Sequence, residues 1–155
     1  MAEIFERRMA MSTKEIQQQI IANMKKWQKI EDATVATTGM IIEKTDNPVV
    51  HLVMEIIQRD SQMHYRLQEW IANSLESKTV TLTYDELDRI WSLIERHIEL
   101  EKKTVAMAEQ SLEAIKGKKM VIQEYLLSYL AEDEKKHKNL LLHLEGIKKG
   151  MRASG

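Results

Sequence analysis

Glu134-Lys135-Lys136-His137 places a carboxylate and an imidazole three residues apart. On a helix that spacing stacks them on one face, where both can reach a single metal ion. The pair falls inside a leucine-rich apolar stripe. Two more acidic residues, Glu31 and Glu101, fall inside the apolar stripes of other helices, and so does His64. Burying a carboxylate costs several kcal/mol unless something compensates it. No Lys or Arg shares these stripes. A bound cation is the simplest compensation for three converging acids. The bland reading of the same residues is a bundle with a hydrated polar core.

The pattern occurs twice. Glu31-Asp-Ala-Thr34-Val-Ala matches Glu101-Lys-Lys-Thr104-Val-Ala, and Asp60-Ser-Gln-Met-His64 matches Asp133-Glu-Lys-Lys-His137. Glu31 precedes His64 by 33 residues and Glu101 precedes His137 by 36. The chain reads as a duplicated helical hairpin with two half-sites related by a pseudo-two-fold axis. The halves differ at Ser61, which stands where the second half has Glu134. Asp60 lies about 40° from His64 on a helical wheel, against about 60° for Ser61, so either can face inward. Three carboxylates leave two divalent ions one negative charge short, and Asp60 would close that gap. It is either a replacement ligand or a solvated flank. His97, four residues before Glu101, is either a ligand, a partner of a ligand or a boundary histidine. Thr34 and Thr104 either hydrogen-bond the carboxylates or bond back to their own helices. His51, His143, Glu95 and Glu99 read as surface.

The elements that must position these groups are legible from their ends. Ser12-Thr13-Lys14-Glu15 is a capping box, so a first helix starts near Thr13. Its stripe is Ile16, Ile20, Met24, Trp27, Glu31, Val35, Thr38 and Ile42. Asn47-Pro48 is an N-cap followed by a first-turn proline. The second helix carries Val50, Val53, Ile57, Ser61, His64, Leu67 and Ile71 on one face. Thr83-Tyr84-Asp85-Glu86 is a second capping box and opens a third helix, with Leu87, Ile90, Trp91, Ile94, His97, Ile98, Glu101, Thr104, Val105, Ala108 and Leu112 inward. Gly117 stops it. A fourth helix is expected from about Lys119 to Gly150, with Leu127, Leu130, Glu134, His137, Leu141 and Leu144 on one side. The turns at 46–48 and 117–119 require antiparallel neighbours. The middle connection, about 11 residues from Asn73 to Thr83, extends to about 36–40 Å, nearly enough for a crossover. The expected fold is an all-α, antiparallel four-helix bundle over residues 12–150, with residues 1–11 as a flexible arm.

Composition narrows the chemistry. The net charge is −1, which gives no electrostatic case for nucleic acid or an anionic membrane. The absence of cysteine excludes disulfides, thiolate zinc sites and iron–sulfur ligation, leaving His, Asp and Glu as the strong metal ligands. No apolar run approaches the roughly 20 residues of a membrane span, and no signal-peptide segment is visible, so a cytoplasmic protein is expected. There is no Gly-rich phosphate cradle or nucleophile motif.

These motifs resemble the rubrerythrin-like branch of the ferritin-like superfamily, over residues from about 20 to 148. The resemblance implies a ferritin-like bundle with a crossover between helices 2 and 3. It implies a di-iron centre, with manganese or zinc as alternative metals, on Glu31, His64, Glu101, Glu134 and His137, and Asp60 or His97 as additional ligand or supporting residue. It implies an oxidoreductase acting on peroxide, dioxygen or ferrous iron. The family's rubredoxin-like donor needs cysteines, so an external electron donor is expected here. A homodimer is also implied, with Leu82, Leu93 and Leu100 available for its interface. Ser61 points to an alternative, metal binding without turnover, and a helical interaction module that keeps only the fold is the third reading.

Overall fold

A computed structural model describes residues 11–77 and 81–153. Most of the expected arm, residues 1–10, lies outside the described residues. The chain is all-α, with four helices and no strand among the described residues. They are α1 (Thr13–Glu43), α2 (Pro48–Glu76), α3 (Tyr84–Ile115) and α4 (Val121–Ala153). Their lengths of 31, 29, 32 and 33 residues correspond to roughly 44–50 Å each. The chain divides into two compact units, Met1–Val80 and Thr81–Gly155. The first is the α1–α2 hairpin and the second the α3–α4 hairpin. The expected crossover between α2 and α3 falls on a connection whose residues 78–80 lie outside the described residues. No helix among the described residues is long and apolar enough to cross a membrane.

Local chemistry sets the helix ends. Ser12 Oγ accepts from the Glu15 amide at 3.2 Å, and Glu15 Oε2 accepts from the Ser12 amide at 2.7 Å. The Ser12 amide, and after it the Ser12 side chain, hold the Glu15 carboxyl below its ordinary pKa. Thr83 and Glu86 repeat the box at the start of α3, at 3.3 and 2.9 Å. Asn47 Oδ1 accepts from the amides of Val49 and Val50, and Pro48 occupies the first turn, where its missing N–H leaves nothing unpaired. Gly117 ends the α3 region with φ +74°, a conformation glycine adopts without steric cost.

His51, read from the sequence as a surface residue, is half-buried. Its Nε2 sits 3.1 Å from the Ile42 carbonyl and also contacts the Thr45 carbonyl. The last carbonyls of a helix have no partner within it. His51 reaches back from the first turn of α2 to satisfy them, which fixes the α1–α2 corner.

The hairpins differ in what they bury. In the α3–α4 hairpin the buried residues are Leu87, Trp91, Ile98, Val105, Ala108 and Ala131, with Glu101 among them. Among the described residues of the α1–α2 hairpin, Ala72 is the only buried apolar one, beside Glu31, Thr38, Ser61 and Gln68. Several stripe residues expected inside, including Trp27, Ile57, Leu67, Ile71, Ile90 and Leu130, are between 37% and 49% exposed. The cause is geometric: an apolar stripe spanning roughly 100° or more is wider than the seam between two helices.

Candidate metal centre

In the α3–α4 hairpin, Glu101, Glu134 and His137 each present one donor atom, and the three atoms lie within 4.8 Å of one another. Glu101 comes from the middle of α3, on the face that also buries Ile98 and Val105. Glu134 and His137 come from adjacent turns of α4. His137 Nδ1 is 3.8 Å from Glu101 Oε1 and 3.8 Å from Glu134 Oε2. Its other ring nitrogen, Nε2, is 3.4 Å from Asp133 Oδ2. The ring thus turns Nε2 toward Asp133 and Nδ1 toward the two glutamates. A ligating histidine takes this arrangement when an outer carboxylate fixes its tautomer.

Thr104 supports the same cluster. Its hydroxyl is 2.9 Å from Glu134 Oε2 on the other helix, and also 2.9 Å from the Glu101 carbonyl on its own. Thr34, its counterpart in α1, bonds back to the Ile30 carbonyl. Both threonines thus bond back to their own helices, and the carboxylate that Thr104 also reaches is that of Glu134, not of Glu101, which it follows by three.

The electrostatics are those of two carboxyls with too few counter-charges. Glu101 is 8% exposed, and its Oε2 is buried without an N–H or hydroxyl donor. Proximity to Glu101 raises the pKa of Glu134, while the hydrogen bond from the Glu134 carboxyl lowers that of Glu101. The pair therefore gives up its last proton less readily than a lone carboxyl does, because like charges this close resist ionising together. Two carboxylates and an imidazole are donors suited to first-row divalent ions such as Fe(II), Mn(II) and Zn(II). The residues present fit such an ion.

His97 joins the site through Glu101. Its Nε2 is 2.9 Å from Glu101 Oε1, and since a carboxylate only accepts, His97 donates. It is not one of the three clustered donors.

The α1–α2 hairpin holds less. Glu31 is 5% exposed, with His64 Nδ1 3.4 Å from its Oε1. The same oxygen accepts from Gln68 Nε2 at 3.2 Å, while Gln68 Oε1 is buried without a partner. Ser61 is 5% exposed and contributes no carboxylate. Asp60 is half-buried and forms no three-donor group with Glu31 and His64. A cavity of about 290 Å³ lies beside Glu31 and Ser61, lined also by Tyr65 and Arg66. The five expected ligands thus divide into a three-donor cluster and a two-donor pair.

Both histidines, expected on buried faces, are substantially open, with side chains 52% exposed at His64 and 45% at His137. Each glutamate is the anchored partner and each histidine sits at the rim. Gln68 is a supporting residue that the sequence did not single out, and Asp133 one that it placed in the repeat without a role. Each is four positions from a histidine, the spacing that brings side chains together on a helix. No family model, curated protein or solved structure matches the chain.

Proposed function

We propose that the chain is a metal-binding protein whose Glu101–Glu134–His137 centre takes iron and acts as a rubrerythrin-like oxidoreductase toward peroxide, dioxygen or ferrous iron. The observation that carries this reading is the convergence of Glu101, a buried carboxylate, with a second carboxylate and an imidazole, whose donor atoms lie within 4.8 Å of one another. Iron bound there supplies reversible one-electron exchange with an oxidant. Glu101 and Glu134 provide the neutralising charge. Asp133 holds the His137 tautomer, and Thr104 orients Glu134. The rim position of His137 leaves the centre open to a small oxidant.

The di-iron form of the reading adds Glu31 and His64 as donors for a second ion. Manganese and zinc are the competing occupants. The electron donor is external, since the chain has no cysteine to carry a rubredoxin-type iron. A cytoplasmic homodimer is part of the same proposal, with Leu82, Leu93 and Leu100, all at least 44% exposed, available to its interface.

Ser61 favours a second reading, metal binding without turnover, because the first hairpin lacks the carboxylate that would make the two halves alike. Loading the full chain with Fe(II) without oxygen and then adding peroxide separates the two. Rapid growth of near-ultraviolet absorbance supports the oxidoreductase; retained ferrous iron that does not oxidise supports the second reading.

A further inference from the structure

The internal repeat permits a position-by-position comparison of the hairpins. Glu31 corresponds to Glu101, and four residues before them stand Trp27 and His97. His64 corresponds to His137; three residues before them stand Ser61 and Glu134, and four residues after them Gln68 and Leu141. All three exchanges act in the same direction. Around Glu101 they supply an imidazole donor at 2.9 Å, a second carboxyl, and an apolar neighbour that cannot compete for the carboxylate. Around Glu31 they supply a half-exposed indole, a serine, and an amide that already donates to Oε1 at 3.2 Å.

Resting on the metal-binding reading of Glu101, Glu134 and His137, we propose that the two hairpins are unequal: the second holds one divalent ion tightly, with His97 as the positioning residue that fixes Glu101, and the first is closed by Gln68. The bond from His97 holds Glu101 Oε1, the oxygen 3.8 Å from His137 Nδ1, and so fixes the orientation in which the carboxylate meets the cluster. In the first hairpin an ion approaching Glu31 must displace a buried, charge-assisted amide bond and finds one imidazole in return. His97 lies at the rim, with 57% of its side chain exposed, so it adds little to the packing of α3. Its contribution is to the orientation of a ligand, an effect that typically changes metal affinity about 10–100-fold.

The test is a Zn(II) titration of the full chain, followed through the ring-nitrogen NMR signals of its histidines and by calorimetry. At one equivalent the His137 signals should reach their bound positions while those of His64 remain at their metal-free positions. His97→Ala should weaken the first binding step about 10–100-fold while the metal-free melting temperature stays within about 2 °C. His97→Gln, whose amide also donates, should recover most of the affinity. Parallel movement of His64 and His137 through one step would overturn the inequality and leave the metal-binding reading standing. An unchanged first step in His97→Ala would overturn the role given to His97. No movement of any histidine would overturn the metal-binding reading and this proposal with it.

Discussion

Thr104 on α3 reaches across to Glu134 on α4, its hydroxyl 2.9 Å from Oε2. This bond ties the orientation of one carboxylate to the backbone of the helix that carries the other. Thr104→Val keeps the shape and removes the donor. The expected result is about a tenfold loss in affinity for a divalent ion, read by calorimetry, with Thr104→Ser close to the parent. Equal affinity in all three proteins would show that Glu134 needs no such guide.

The coupling between Glu101 and Glu134 makes metal binding pH-dependent. Glu134 has its pKa raised by its neighbour, so it keeps to higher pH than an ordinary carboxyl a proton that an incoming ion must expel. Affinity should therefore rise with pH from the ordinary carboxylate range upward and level off once Glu134 is ionised. The sign for the metal-free fold is the opposite. A raised folded-state pKa contributes stability that is present at low pH and lost as pH rises through it. Titrations in two buffers of different ionisation enthalpy should report net proton release on binding that grows as the pH is lowered. Proton uptake, or none, would contradict the raised pKa of Glu134.

Ser61 marks the missing carboxylate of the first hairpin, and Ser61→Glu restores it. The position is 5% exposed, so the new side chain should destabilise the metal-free protein by about 3 kcal/mol, roughly 6–12 °C in melting temperature. Divalent metal should recover much of that loss and add one ion per chain to the parent's count. Destabilisation without added metal would mean that Glu31 and His64 do not act as ligands even with a third donor beside them.

Lys148 closes the far end of the second hairpin. Its ammonium lies 4.9 Å from the Trp91 ring, 5.0 Å from the Tyr84 ring and 3.1 Å from Asp88. Asp88 is 57% exposed, which keeps the ion pair weak, while the Lys148 side chain is only 13% exposed. Packing and the aromatic faces therefore dominate. Lys148→Ala should cost about 1–2 kcal/mol in chemical denaturation, and Lys148→Met, which keeps the stem, about half as much. Equal losses in the two variants would assign the whole effect to the charge.

The sequence carried the helix ends because they obey local rules. Ser12 with Glu15, Asn47 with Pro48, Thr83 with Glu86, and Gly117 each act within a few residues of themselves. The start of α4 had no such signal: Lys118 and Lys119 belong to the turn, and the helix begins at Val121. It also continues through Gly150 to Ala153, because one glycine lowers helix stability by only about 1 kcal/mol. The acids and histidines of the site were legible as polar residues in apolar stripes. Their partners were not, because Gln68 and Asp133 matter through the rotamers that turn them toward Glu31 and His137. The capping role of His51 was equally hidden, since it depends on α2 folding back against the end of α1. Stripe membership also overstated burial at Trp27 and Ile57, since a sequence period gives a direction and not a depth.

The most direct measurement is the amount of Fe(II) retained by the full chain after anaerobic loading and desalting, compared with Glu101→Ala. The parent should keep at least one iron per chain. The variant should keep none while its far-ultraviolet circular dichroism remains that of a helical protein. A parent that emerges without iron, or a variant that holds as much as the parent, would contradict the assignment of Glu101, Glu134 and His137 as a metal centre.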